Sequence, residues 1–276
     1  MDPRTTPARP DLAAEHLRGK VDAAKFVEAH ETTVAVPWLD MFDKPGGRVS
    51  SQLLYGDRFD VYEKSAWFAW GQNRRDGYVG YVVASRLHEP SSTANFRVSA
   101  NWCHVYPRPN LKFPTDRQPF PFMAAVHSRE SVDGFAHVEG GFCPLQSLIG
   151  INEVAPDFVS VAERFVGVPY LWGGCTPMGF DCSGLVQIAL LAAGKFVPRD
   201  SDQQAESVGT ALSDSAFLQR GDLIFWVGHT GIMQDRDRIV HANAHHMAVA
   251  SESIGLVTAR AAKSGSKIIA RRRILG

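Results

Sequence analysis

The chain has 276 residues, 45% hydrophobic and 21% charged, which is enough apolar surface for two or three cored domains and excludes a disordered tail or a fibre. Twenty-nine Lys and Arg balance twenty-nine Asp and Glu, so no basic surplus exists to drive nucleic-acid binding by counterion release. The first thirty residues hold no apolar run of signal-peptide length and no later stretch approaches a membrane span, so a cytoplasmic location without a membrane partner is the expectation.

Residues 1–30 open with Pro3, Pro7 and Pro10. Asp11 then stands as N-cap of a predicted helix carrying Leu12, Leu17, Val21 and Phe26, an arm that packs on the body. From 31 to 90 the text changes to short apolar runs such as TTVAVPWL, RFDVYE and GYVGYVV, punctuated by Gly, Asp and Lys. That spacing predicts a small antiparallel barrel or sandwich.

A polar linker, EPSSTAN, leads into a second set of short strands over 95–150. Five prolines between Pro107 and Pro121 exclude regular structure there and predict an extended loop. The two β segments close alike, on Gly80–Leu87 and Gly141–Leu148, with an aromatic after the glycine and a leucine six residues on, which suggests a repeated module.

The pattern changes again over 155–276. Pro156 and Asp157 start a helix with Phe158, Val161, Ala162 and Phe165 on one side, ended by Gly167. SGLVQIALLAAG is apolar almost all round and stops at Gly194, the signature of a buried helix. From 222 onward DLIFWVG, HTGIMQD, RIVHAN, MAVAS and KIIARRRIL read as strands joined by tight turns, so this unit is α+β.

The chemistry centres on Gly179-Phe180-Asp181-Cys182-Ser183-Gly184. Asp181 is a natural N-cap, which puts Cys182 in a first helical turn where unpaired N–H groups and the helix dipole favour a thiolate nucleophile. Cys103, Cys143 and Cys175 lack that setting and read as small buried hydrophobes; four cysteines without a CxxC pair suit neither a disulfide framework nor a zinc site. A base is available at His229, and the turn Gln234–Asp237 brings His241 onto the neighbouring strand. His229 would take the Cys182 proton while His241 orients it and fixes its tautomer. Asp200, Asp202, Asp235 and Asp237 read as turn and cap residues.

Val168–Gly174, Phe180–Val186, Gly221–Trp226, His229–Ile232 and Val240–Ala242 together resemble the NlpC/P60 cysteine peptidases over 155–276. The resemblance implies a papain-like α+β domain with Cys182 as nucleophile, His229 as base, His241 as third polar member and Tyr170 beside the oxyanion. Two SH3-like barrels, 31–90 and 95–150, before such a domain resemble the γ-D-glutamyl-L-diamino acid endopeptidases that act on cell-wall peptides. In those relatives the first SH3-like domain closes one end of the groove, so that a substrate with a free amino-terminal L-alanine fits. The same likeness implies substrate-binding roles for Asp181, Ser183 and Ser201, and for Glu63 and Tyr78 of the first barrel at the substrate amine. The expected partner is an L-Ala-γ-D-Glu-diamino acid peptide, with no cofactor and no metal; the oligomeric state is open.

Three alternatives stand beside this reading. One is a cell-wall or peptide-binding scaffold whose peptidase fold is inactive. Another is acyl transfer by the same thiol. The last is a metal-dependent hydrolase built on His229, Asp235, His241, His245 and His246, which lacks an HExxH pattern and places His245 and His246 on opposite faces of a strand.

Overall fold

In the computed structural model, which describes residues 1–90 and 92–274, the chain divides into two compact units, Met1–Glu153 and Val154–Gly276. Ser91 of the expected linker and Leu275 at the end of the last expected strand lie outside the described residues.

The first unit begins with the arm, and here the sequence expectation is corrected. Residues 1–30 contain no α-helix; Ala13–Ala14 pairs in parallel with Phe26–Val27 around a single 3-10 turn, Glu15–Leu17. Leu12, Ala13 and Ala14 are buried in succession, which an amphipathic helix does not do, and Asp11 is engaged by Arg9 rather than by a helix terminus. The arm does pack on the barrel that follows: Arg9 lies 4.4 Å above the Trp70 ring and donates to the Tyr81 hydroxyl and the Glu63 carboxylate.

Seven strands between His30 and His88 make one antiparallel sheet. The strand Val79–Val83 pairs with Trp38–Phe42 and Phe68–Asn73; a 3-10 turn, Ala84–Arg86, then bends the chain so that Leu87–His88 pairs with His30–Val34. Period-two alternation puts Leu39, Met41, Phe59, Val61 and Val82 inside. Each such side chain contributes roughly 1.5–3 kcal/mol by leaving water. Tyr78, expected at the substrate amine, is 5% exposed and belongs to this core.

The second β segment uses three small sheets around Val98, Val105, Phe120, Val126, Ala136 and Val138. It closes on Gly141–Pro144, a 3-10 turn Leu145–Ser147 and Leu148–Gly150, the same strand–turn–strand ending as the first. Residues 104–119 form the extended loop that their prolines require.

In the second unit, helix α1 (Phe158–Glu163) is capped by Asp157, which accepts from the Val159 N–H. Helix α2 (Cys182–Ala192) is buried along its whole length. It packs on the strands His229–Met233 and Arg238–Asn243 of a six-stranded antiparallel sheet. That sheet runs in space from Thr210–Ala211 through Ile268–Arg273, Asp222–Trp226, His229–Met233 and Arg238–Asn243 to Ala248–Ser253. Two helices absent from the sequence reading complete the unit: α3 (Ser201–Ser207) and α4 (Ile254–Lys263), the latter where strands alone were expected after Ser253. No helix among the described residues is long and apolar enough to cross a membrane.

Candidate active site

Cap chemistry fixes the first member. Asp181 is extended, φ −90° and ψ 176°, and its Oδ1 accepts the Gly184 N–H at 2.7 Å, which starts α2 at Cys182. Gly184 is obligatory at that turn: a Cβ there would stand 2.2 Å from the Gly174 carbonyl oxygen. The close approach lets Asp181 Oδ2 accept the Gly173 N–H at 2.9 Å, tying the Leu171–Gly174 loop to the helix start.

Asp181 also carries a buried partner that the sequence reading passed over. Arg199, 1% exposed, donates to Asp181 Oδ1 and Oδ2 at 3.0 and 2.7 Å and to Ser183 Oγ at 2.9 Å. The carboxylate, expected to receive the substrate amine, is therefore filled on both oxygens and braces the helix start instead. Its neighbour Ser183 is likewise buried and committed to Arg199 and Asp181. Ser201 is half-buried at the first position of α3. Glu63, in the first unit, is held by Arg9 at 2.8 Å with its side chain 49% exposed.

Cys182 is 8% exposed. Its Sγ lies 4.0 Å from the Gly228 carbonyl oxygen, and the backbone N–H of Thr230 points to it. The sulfur is thus set against the turn and first residues of the His229–Met233 strand, on both sides of His229. Burial pushes the thiol up to about 12, reinforced by the adjacent Asp181, against the opposing pull of the Thr230 and Ser183 N–H groups. Burial also drives His229 down to about 3, with the His241 ring adding to the shift. A resting thiolate was the expectation from the helix dipole; desolvation outweighs it, and both groups are neutral near pH 7.

His229 and His241 meet as the hairpin predicts, with Nε2 of His229 2.8 Å from Nδ1 of His241. His241 is 1% exposed, and burial lowers its pKa as well. Its Nε2 faces Glu252 Oε1 at 2.9 Å, a carboxylate that Arg260 and His246 also approach. Glu252 went unread in the sequence, although the register would have found it: His241 pairs with Ala250, so Glu252 is the diagonal neighbour on the same face. Tyr170 lies near Cys182; its N–H donates to the Met247 carbonyl at 2.9 Å, and burial, with the nearby Cys182 and Asp181, pushes its phenol up to about 12.

His245 and His246 stack edge to face, with ring centroids 4.7 Å apart, and Asp235 accepts the Asp237 and Arg238 N–H groups of its own turn. Among the described residues no group of three or more His, Cys, Asp or Glu is placed to hold a metal ion. None of the four cysteines is in a disulfide.

Parts of the chain match known protein families. Residues 167–264 match the NlpC/P60 family, and residues 41–87 match the bacterial dipeptidyl-peptidase SH3 domain. A gamma-D-glutamyl-L-lysine dipeptidyl-peptidase of Bacillus cereus is 36% identical over 95 residues, 34% of this chain and 25% of that protein. The protein of that name from Bacillus subtilis is 34% identical over 97 residues, 32% of each chain, and a gamma-DL-glutamyl hydrolase of the same species is 35% identical over 111 residues, 34% of this chain and 26% of the other. The chain spans about a quarter to a third of the length of these relatives. The crystal structure of an NlpC/P60 family protein from Bacillus cereus superposes with a TM-score of 0.75 at 17% identity, over 90% of this chain and 100% of that one, a likeness of fold.

Proposed function

We propose that this chain, which carries an NlpC/P60 domain over 167–264 preceded by a bacterial dipeptidyl-peptidase SH3 domain over 41–87, hydrolyses the amide bond between γ-D-glutamate and a diamino acid in cell-wall peptides. The observation that carries the reading is the placement of Cys182 Sγ against Gly228 and Thr230, the two neighbours of a histidine whose far nitrogen is held 2.8 Å from His241.

The reaction starts from a neutral pair. Because the thiol is held near 12 and His229 near 3, the proton leaves sulfur as the carbon–sulfur bond forms, not before. His229 Nδ1, the ring nitrogen turned away from His241, accepts it. Negative charge then develops on the carbonyl oxygen, where the Tyr170 hydroxyl and the N–H groups opening α2 are the available donors. His229 returns the proton to the leaving amine, the C–N bond breaks, and a thioester on Cys182 remains. Water, deprotonated by the same nitrogen, hydrolyses it and restores the thiol.

The choice of bond is supported by the names of the relatives, two of them gamma-D-glutamyl-L-lysine dipeptidyl-peptidases and one a gamma-DL-glutamyl hydrolase. The test is to incubate L-Ala-γ-D-Glu-L-Lys and its meso-diaminopimelate counterpart with the protein, each beside a copy acetylated at the alanine amine. Release of the free diamino acid is the expected result. Loss of cleavage on acetylation adds a requirement for the amine, and no release from any of the peptides removes the activity.

A further inference from the structure

We propose that Glu252 is a positioning residue that sets the tautomers of both histidines and so leaves Nδ1 of His229 bare to act as the base. The inference rests on the reaction just described, but its geometry lies one shell further out. Arg260 donates through Nη1 to Glu252 Oε2 at 3.0 Å and through Nη2 to Oε1, while His241 Nε2 stands 2.9 Å and His246 Nε2 3.2 Å from Oε1. Burial alone raises this carboxyl, but the Arg260 and His241 hydrogen bonds hold it down to about 2.

An ionised carboxylate only accepts. His241 must therefore carry its proton on Nε2, and a neutral imidazole has one N–H, so its Nδ1 is a lone pair. The ring nitrogen 2.8 Å from that lone pair, Nε2 of His229, must then be the donor. His229 has no second proton, and its Nδ1 is left bare. Each assignment follows from the one before it, and the chain starts at Glu252.

One neighbour competes. Asn243 Nδ2 lies 3.2 Å from His241 Nε2. The Asn243 amide cannot turn over, because its Oδ1 accepts the His246 N–H at 2.9 Å, but its Nδ2 has another acceptor in the His241 carbonyl at 3.3 Å. A lone pair on Nε2 would gain that one neutral hydrogen bond and would face a carboxylate at 2.9 Å without a proton between them. The charge-assisted bond wins.

Removal of Glu252 reverses the balance. Asn243 Nδ2 becomes the donor to Nε2, His241 takes its proton on Nδ1 and pushes it toward His229, and His229 must accept there and carry its proton on Nδ1. The base is then occupied while all three side chains remain in place.

The test is two-bond ¹H–¹⁵N correlation on the full chain labelled in histidine, at pH 7. The wild type is expected to show Nε2–H on both His229 and His241. Glu252→Ala is expected to show Nδ1–H on both, with kcat on the peptide reduced by about 10²- to 10⁴-fold and KM little changed. Glu252→Gln keeps the size but offers one oxygen, claimed by Arg260, and turns an N–H₂ to His241, so the same reversal is expected. Nδ1–H on His241 in the wild type overturns the proposal even if the variants do not fold, and so does a folded Glu252 variant that keeps both Nε2–H tautomers. The spectrum needs no substrate: the stated tautomers in a wild type that cleaves no peptide leave the Glu252 assignment standing and refute the reaction instead.

Discussion

A methyl group at Gly231 would stand 2.9 Å from the Cβ of His241, and 2.7 Å from Ile239 Cδ1. The pairing of Ile232 with Val240 and Met233 with Ile239, continued by one step, puts Gly231 directly opposite His241, and His229 diagonal to it on the same face. The missing side chain is what lets the two imidazoles meet.

Gly231→Ala is accordingly expected to destabilise the protein by about 1–3 kcal/mol through overpacking. It should lower peptide hydrolysis by more than that loss explains, because His241 is the residue displaced. Urea unfolding and kcat on the same preparation check both halves; an unchanged midpoint would mean that the strands separate easily here.

The Asp181–Arg199 pair is buried at both ends. Arg199→Met strands a carboxylate in the helix start, with an expected cost of about 3–5 kcal/mol. The double variant Asp181→Asn with Arg199→Met should recover part of it. Chemical denaturation of the four proteins of this cycle measures the coupling, and a loss under about 1 kcal/mol in the single variant would show that solvent reaches the pair.

His229 and His241 give the protein an acid-sensitive side. Their folded pKa values lie below the ordinary 6.5, at about 3 for His229, so the unfolded chain takes up protons that the folded one refuses. Stability from these rings is full above pH 6.5 and falls below it, by about 1.4 kcal/mol per pH unit for His229, whose contribution levels off near pH 3, with His241 adding in the same direction. Glu252, lowered to about 2, adds a loss in the same direction below about pH 4.5. Unfolding free energies at pH 8, 6, 5 and 4 should fall along this slope, and His229→Gln should make it shallower. A flat profile between pH 6.5 and 4 contradicts the burial of neutral rings.

Alkylation reports the resting state of the thiol. With Cys182 held near 12, the rate of iodoacetamide modification should climb about tenfold per pH unit between pH 7 and 10. A rate that is already on a plateau from pH 5 to 8 would mean a preformed thiolate–imidazolium pair.

Much of the site was legible because it is coded locally. Asp181 as cap, the all-apolar run after Cys182, Gly194 as stop and the two histidines on either side of a four-residue turn each fix position within a few residues. Arg199 was not, because its partner arrives from 18 residues away through packing, and Glu252, 11 residues from His241, is reached only by carrying the hairpin register one strand further. Residues 1–30 misled for the opposite reason: Asp11, Leu12 and Leu17 have helical spacing, but Ala13 and Ala14 find extended partners, Ala13 N–H with Lys25 and Ala14 N–H with Pro7. Helix α4 hid behind Gly255 in its first turn, although Ser253 as cap and Arg260 and Lys263 in the last turn were signals of it. Asp181 as amine receptor and Tyr78 as substrate contact came from likeness of motif, which carries no information on whether a carboxylate is already filled or a ring already packed.

The proposed reaction passes through a Cys182 sulfur acylated by the γ-D-glutamyl carbonyl. Intact-mass spectrometry of protein mixed with L-Ala-γ-D-Glu-L-Lys and quenched in acid detects that species. An adduct of one L-Ala-γ-D-Glu acyl group located at Cys182 is expected, with neither adduct nor hydrolysis in folded Cys182→Ala. Hydrolysis at the wild-type rate by Cys182→Ala would contradict that reaction.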